Sequence, residues 1–267
     1  MISWTFEQKV DAAVRAPLHP GLPRARTTKL IARPDWHQLH TPDAPGSGLN
    51  EIAFSQIGEA DVERAIDEAI ATYHATGHAV KWCVGPWTRP ADMNMRLERR
   101  GFTSWDVRGM GCATDRGPAA ELPLVPEIEV VEVDGANLDA WLATMLSGWS
   151  VRGADALYRD AFTTALAARP RHVHLFGALL GGKIVGTAAL VVEDGFGYLT
   201  GGQVLEEARG RKAYRALISA RLMFLRERGH GYAVTHAREA TSAPILERLG
   251  METLFRSKCW LLEPPQR

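Results

Sequence analysis

Apolar positions along the chain recur with two periods. In DVERAIDEAIATYH (residues 61–74), Val62, Ile66, Ala69, Ile70 and Tyr73 form one stripe at three- and four-residue intervals, which predicts an amphipathic helix. Further helices are predicted at 91–99, 137–146, 155–168, 213–228 and 242–249, the last capped by Thr241 or Ser242 with Pro244 in its first turn. Short runs rich in β-branched and aromatic residues predict strands at 36–40, 51–57, 79–84, 104–113, 128–133, 173–180, 184–192, 196–204, 232–237 and 252–262. Residues 1–30 read as a short helix and a Pro-rich connector. The longest apolar run, Phe176 to Val192, is interrupted by Gly181, Gly182 and Lys183, which predicts a hairpin rather than a membrane span. Strands interleaved with helices in this order predict an α/β (α+β mixed sheet) architecture.

The pattern also repeats. RLERRGF (96–102) resembles ILERLGM (245–251), each suiting a short helix closed by glycine; TGHAVKWCV (76–84) resembles RGHGYAVTH (228–236); and SQI (55–57) matches GQV (202–204). Any one match is weak, but the three occur in the same order. The second copy is longer between its strand and its Gly-His, and the extra residues fall at ARGRK (208–212). The first copy instead places Glu59 and Asp61 at the helix start, where acids complement the helix dipole and repel an anion.

Charge matters at that turn. Lys plus Arg equals Asp plus Glu at 31 each among 267 residues, so no global field favours nucleic acid or an anionic membrane. A helix start exposes unpaired N–H groups at the positive end of its dipole; Gly210 permits close approach, and Arg209, Arg211 and Lys212 add donors. These features suit a diphosphate, although a solvated basic face accounts for the same residues. Three cysteines, Cys83, Cys112 and Cys259, lack C-x-x-C spacing, and the first residues carry acids where a secretory leader has an apolar core; both point to a reducing, cytoplasmic setting without a disulfide framework.

A strand, then V-x-x-x-x-R-G, then helix, strand, short helix and L-G-hydrophobic resembles the GNAT acyl-CoA-dependent acyltransferases over residues 128–262. Residues 36–114 look like an eroded copy. The resemblance implies a tandem GNAT-like acyl-CoA N-acyltransferase fold, with a degenerate N-terminal domain (1–115), a linker (116–126) and an acyltransferase domain (127–267). It implies acetyl-CoA or another acyl-CoA as cofactor, with the pyrophosphate at Arg209, Gly210, Arg211, Lys212, Ala213 and Tyr214. Lys212 stands where the family signature has its first glycine, and needs only a conventional backbone to donate its N–H. Tyr214 stands at the Gly/Ala position, where it either presses on the cofactor or packs on the sheet. Backbone groups of Gly202, Gln203 and Val204 would pair with the pantetheine arm.

The family's frequent acid, a tyrosine in the short helix before L-G, is Leu246 here, and its frequent asparagine corresponds to Glu239. His236 suits a base near neutral pH and equally suits a packed strand position; Glu239 reads as a base or as a helix cap. His172 and His174 share a strand face without a third ligand, so no metal is expected. Trp141, Trp149 and Tyr158 fall where the family's first helices roof the acceptor, or in the core. Cys259, on the last strand, is a poor covalent relay. The reading is therefore an N-acyltransferase acting directly on an amine of a small molecule or peptide, with neither nucleic acid nor membrane as partner. Its rival is a non-catalytic acyl-CoA-binding sensor or interaction module.

Overall fold

The computed structural model describes residues 4–44, 48–116 and 125–265; most of the linker expected at 116–126 lies outside the described residues. The first half runs α1 (Phe6–Arg15), β1 (Lys29–Arg33), β2 (Trp36–His40), β3 (Glu51–Ser55), α2 (Val62–His74), β4 (Val80–Val84), α3 (Met93–Arg99) and β5 (Thr103–Ala113). The second runs β6 (Glu129–Glu132), α4 (Leu138–Gly148), α5 (Asp155–Ala167), β7 (Val173–Leu180), β8 (Lys183–Val192), β9 (Phe196–Val204), α6 (Ala213–Glu227), β10 (Tyr232–Arg238), α7 (Ser242–Arg248) and β11 (Glu252–Leu262). The expected elements therefore form with shifts of a few residues at their ends. Strand β1 is an addition: its five residues, KLIAR, are all exposed on the sheet edge, so no alternation marks them.

All eleven strands join one sheet in the order β1-β2-β3-β4-β11-β5-β10-β9-β8-β7-β6. The closing strands of the two halves change places. The second half's β11 pairs antiparallel with β4, and the first half's β5 pairs antiparallel with β10, while β5 and β11 pair with each other along their length. Each half completes the other's sheet.

Strand alternation decides which helices cover which face. Ile52, Trp82 and Trp260 turn toward α2 and α3, against Ile66, Tyr73 and Leu97. On the same face Leu199, Ala233 and Ala237 meet α6 and α7 through Leu217, Leu225 and Leu246. The opposite face carries α1, α4 and α5 over Val234, Tyr232 and Phe255. Gly109 on β5 is needed there, because the Phe255 ring lies 2.2 Å from where its β-carbon would stand.

Two parallel pairs open within this sheet. Strands β9 and β10 pair from Phe196↔Tyr232 to Leu199↔Thr235 and then part. Strands β3 and β4 pair only at Glu51↔Lys81 and Ile52↔Trp82.

Because each half lends its last strand to the other, fragments 1–116 and 117–267 expressed separately should aggregate or stay unfolded through their unpaired edges. Co-expressed, they should purify as a one-to-one complex with a single unfolding transition. Two stable monomers on size-exclusion chromatography would contradict the exchange.

Candidate functional site

Beyond Leu199, β9 continues to Val204 bonded to β8 on one side only, through Thr187↔Gln203 and Gly186↔Val204. Its other edge has lost β10. The parting coincides with a shift in the β8–β9 register between Thr187 and Ala189 and with Gly201 at φ 61°. Arg221, reaching from α6 and only 1% exposed, holds this irregularity by donating to Ala189 O (3.0 Å), Leu217 O (3.0 Å) and Thr200 O (3.4 Å). Burial lowers its pKa to about 10, so it stays cationic at neutral pH. The Tyr214 ring packs under β9, 3.1 Å from the position of a β-carbon on Gly202, which fits sheet packing, the second of the two roles open to it. The Gln203 side chain turns toward α4, where Nε2 donates to Thr144 O (3.2 Å) and Thr187 Oγ1 (2.9 Å).

The free edge leads into the basic turn. A short 3-10 helix, Glu206–Ala208, precedes Arg209; Gly210 takes φ 80° and Lys212 φ 63°, immediately before Ala213 opens α6. Lys212 therefore does not have the conventional backbone expected for it. The left-handed region costs a residue with a β-carbon about 1–2 kcal/mol; here the chain must turn sharply from strand edge to helix start, whatever side chain stands there. Arg209, Gly210, Arg211 and Lys212 are exposed, and none of the three cations forms an ion pair among the described residues. The start of α2 differs. Arg96 pairs there with Glu63 (2.5 Å), with Asp92 (2.9 Å) and with Glu59, and Arg100 adds Glu63 (2.5 Å) and Asp67 (2.9 Å). One helix start leaves its cations free, and the other is closed by carboxylates and arginines.

At the other end of the free edge, on the α1/α4/α5 face, lies a cavity of about 290 Å³ lined by both halves of the chain. Tyr198, Thr200 and His236 come from the second half, and Glu51, Lys81 and Cys83 from the first, with Ser257 and Cys259 of β11 between them. His236 stands between the Tyr198 ring (5.7 Å) and the Phe255 ring (5.8 Å). Its Nδ1 has no hydrogen-bond partner among the described residues. Burial pulls its pKa down to about 4, with Glu51 opposing and Lys81 reinforcing, so the imidazole is neutral at physiological pH. Burial raises the Tyr198 phenol, which keeps its proton. Glu51 and Lys81 form an ion pair; burial disfavours the ammonium, but Glu51 holds its pKa above the usual lysine value. Cys83 and Cys259 face each other across β4 and β11 with sulfurs 3.7 Å apart. Hydrogen bonding from Cys83 and the charge of Lys81 hold the Cys259 thiol below its usual range against burial.

The residues singled out from sequence are thus only partly assembled. His236 and the 202–204 edge meet the same opening, with the cationic turn at its far end. Glu239 does not join them: it sits on the opposite face of β10, bonded to Arg108 Nε (2.6 Å) and Arg256 Nη1 (2.6 Å), which hold its carboxyl below the usual range. Leu246 is fully buried in the core under α7. Trp141 is core, donating to Phe176 O (2.9 Å), Tyr158 is buried, and Trp149 is exposed. His174 meets Glu132 (2.7 Å) and the Phe224 ring, whereas His172 lies against His19. Cys259 lies in the cavity wall despite its place on the last strand, because strand exchange carries that strand to the middle of the sheet. Sequence reading missed Glu51 and Lys81; a lysine inside the apolar run VKWCV was the available signal.

Residues 137–251 match the model of the acetyltransferase (GNAT) family. Among solved structures, a GCN5-related N-acetyltransferase from Kribbella flavida is 18% identical and covers 96% of each chain with a TM-score of 0.67. A functionally unknown conserved protein from Staphylococcus epidermidis aligns over 89% of this chain and 95% of its own, at 13% identity and TM-score 0.67. A tandem GNAT protein from the clavulanic acid biosynthesis pathway covers 98% and 96%, at 16% identity and TM-score 0.59. The curated proteins give no match. These likenesses establish the fold.

The half-buried imidazole carries a pH signature. Its native pKa, about 4, lies below the usual 6.5, so the unfolded chain binds the proton more readily. Stability from this group is complete above pH 6.5 and is lost as pH falls toward 4, by about 3 kcal/mol at roughly 1.4 kcal/mol per unit. Urea titrations of His236→Gln across that window should show a shallower loss than wild type; an equal slope would contradict the burial.

Proposed function

We propose that the chain is an acyl-CoA-dependent N-acyltransferase, using acetyl-CoA, that acts on the amine of a small molecule or peptide; the match of residues 137–251 to the acetyltransferase (GNAT) family model supports the reading. One observation carries the reading: a single unpaired strand edge runs from a cation-rich helix start to a cavity containing a neutral histidine. The amides of Lys212, Ala213 and Tyr214 at the start of α6, flanked by the exposed Arg209, Gly210 and Arg211, suit the diphosphate of coenzyme A. The edge from Thr200 to Val204 spans about 13 Å of extended chain and suits the pantetheine arm through Gly202, Gln203 and Val204. Bound acyl-CoA supplies the activated thioester.

His236, neutral at physiological pH, offers its orphaned Nδ1 to the proton that the attacking amine gives up, and its lowered pKa makes it a weaker base than the ordinary imidazole expected from the sequence. Tyr198 supplies the acid that Leu246 does not, since its phenol stays protonated in the same cavity. Thr200 and Ser257 add polar groups to the wall, and the Glu51–Lys81 pair fixes its charge. The N-terminal half acts as a degenerate copy. Its own opening ends at the helix start closed by Glu59, Glu63 and Arg96, and its remaining role is to wall the acceptor side of the cavity.

Isothermal titration with acetyl-CoA should show one site per chain, and Arg209→Ala with Arg211→Ala should weaken it about 10²-fold through lost charge-assisted bonds. Absence of heat, or an unaffected double variant, would count against the site. Thiol release in the presence of an amine panel distinguishes an enzyme from an acyl-CoA sensor, which binds without turnover. Tyr198→Phe should lower kcat about 10²-fold with acetyl-CoA affinity unchanged; an unchanged kcat would remove Tyr198 from the chemistry.

A further inference from the structure

Polar atoms without partners mark what the cavity is built to hold. Arg24, from the segment before β1, spends both terminal nitrogens on backbone carbonyls, donating from Nη1 to Pro20 O (2.9 Å) and from Nη2 to His19 O (3.0 Å). Its Nε–H is buried and has no acceptor among the described residues. Trp87 Nε1–H is likewise buried without an acceptor, His236 Nδ1 is without a partner among the described residues, and all three residues line the one cavity. Arginine Nε and the indole nitrogen can only donate, so the missing partner must present acceptors. Buried donors left unpaired in a native structure call for such a partner.

The charges point the same way. The cavity wall holds two cations, Arg24 and Lys81, against one acid, Glu51, which is already paired with Lys81; His236 is neutral. Arg24 is the charge left over, with burial weakening its protonation, so an anion beside it removes an electrostatic cost. A polyamine or an aminoglycoside would bring further positive charge to this wall. At about 290 Å³ the cavity stands at the small end of ligand sites, too small for a long peptide.

We propose that the acceptor is a small amine that also carries a carboxylate, an amino acid in chemical class, whose carboxylate pairs with Arg24 while its amine faces His236. Trp87 Nε1–H serves the remaining acceptor atom. This rests on the reading of the cavity as the acceptor site and narrows the substrate class within it. Arg24 is then the specificity residue, and selection acts through charge rather than through the reacting centre.

The test compares the proteinogenic amino acids with their methyl esters, and with spermidine as a cationic control, on the full chain. Thiol release from acetyl-CoA should be supported by at least one amino acid, with kcat/KM falling 10-fold or more for its ester. Arg24→Gln should raise KM for the amino acid 10-fold or more, leave kcat within about twofold, and leave the ester unchanged; Arg24→Lys should retain part of the preference and reports on folding. Turnover of esters or spermidine as fast as amino acids would overturn the proposal while leaving the acyltransferase reading intact. If acetyl-CoA binds without any thiol release, calorimetry of the amino acids and esters against the chain decides separately. An amino acid bound at least 10-fold more tightly than its ester supports the carboxylate site, and equal or absent binding overturns it.

Discussion

Two parallel strands that separate part of the way along leave N–H and C=O groups on both inner edges, and such groups are costly to bury without partners. In this protein β9 and β10 separate after Leu199 and Thr235, and the rest of the site follows from what lies along the gap. The separation is held open from below. Arg221 binds carbonyls at the irregular stretch of β8 and β9, Gly201 takes a backbone that few other residues adopt, and Tyr214 fills the space under Gly202. A guanidinium buried without a carboxylate is expensive unless its donors are used. Here carbonyl oxygens at the bend use them, so the charge and the bend stabilise each other.

The two halves treat the same geometry differently. Both contain a parallel pair that opens toward a helix start, and both close the following short helix with a left-handed glycine, Gly101 or Gly250. At α2 the opening is filled by an arginine–carboxylate network; at α6 the cations stand free. Strand exchange between β5 and β11 then makes the halves inseparable and brings Lys81, Cys83 and Cys259 within one wall with His236. A cavity shared across such a seam contains groups that neither half could assemble alone.

Most elements were legible because strong periodicity and glycine punctuation act locally: the stripe on α2, the Gly181-Gly182 hairpin and the short helices before Gly101 and Gly250 need no tertiary context. What stayed hidden depends on distant chain. Strands β5 and β11 look like any closing strands, and only packing decides that each sits in the other half. Glu239 read as a candidate base because its partners, Arg108 and Arg256, come from those exchanged strands. Lys212 read as ordinary backbone because lysine itself has no preference for φ 63°; the turn imposes it. Arg24 and Trp87 lie in connecting segments without periodicity, and their roles appear only where the cavity leaves their donors unpaired.

Amide hydrogen exchange with and without acetyl-CoA reads the two openings in one experiment. Exchange along residues 200–204 and 210–214 should slow when acetyl-CoA is present, with residues 56–64 unchanged. Protection confined to residues 56–64, or none at either opening, would contradict the placement of the coenzyme along the β9 edge.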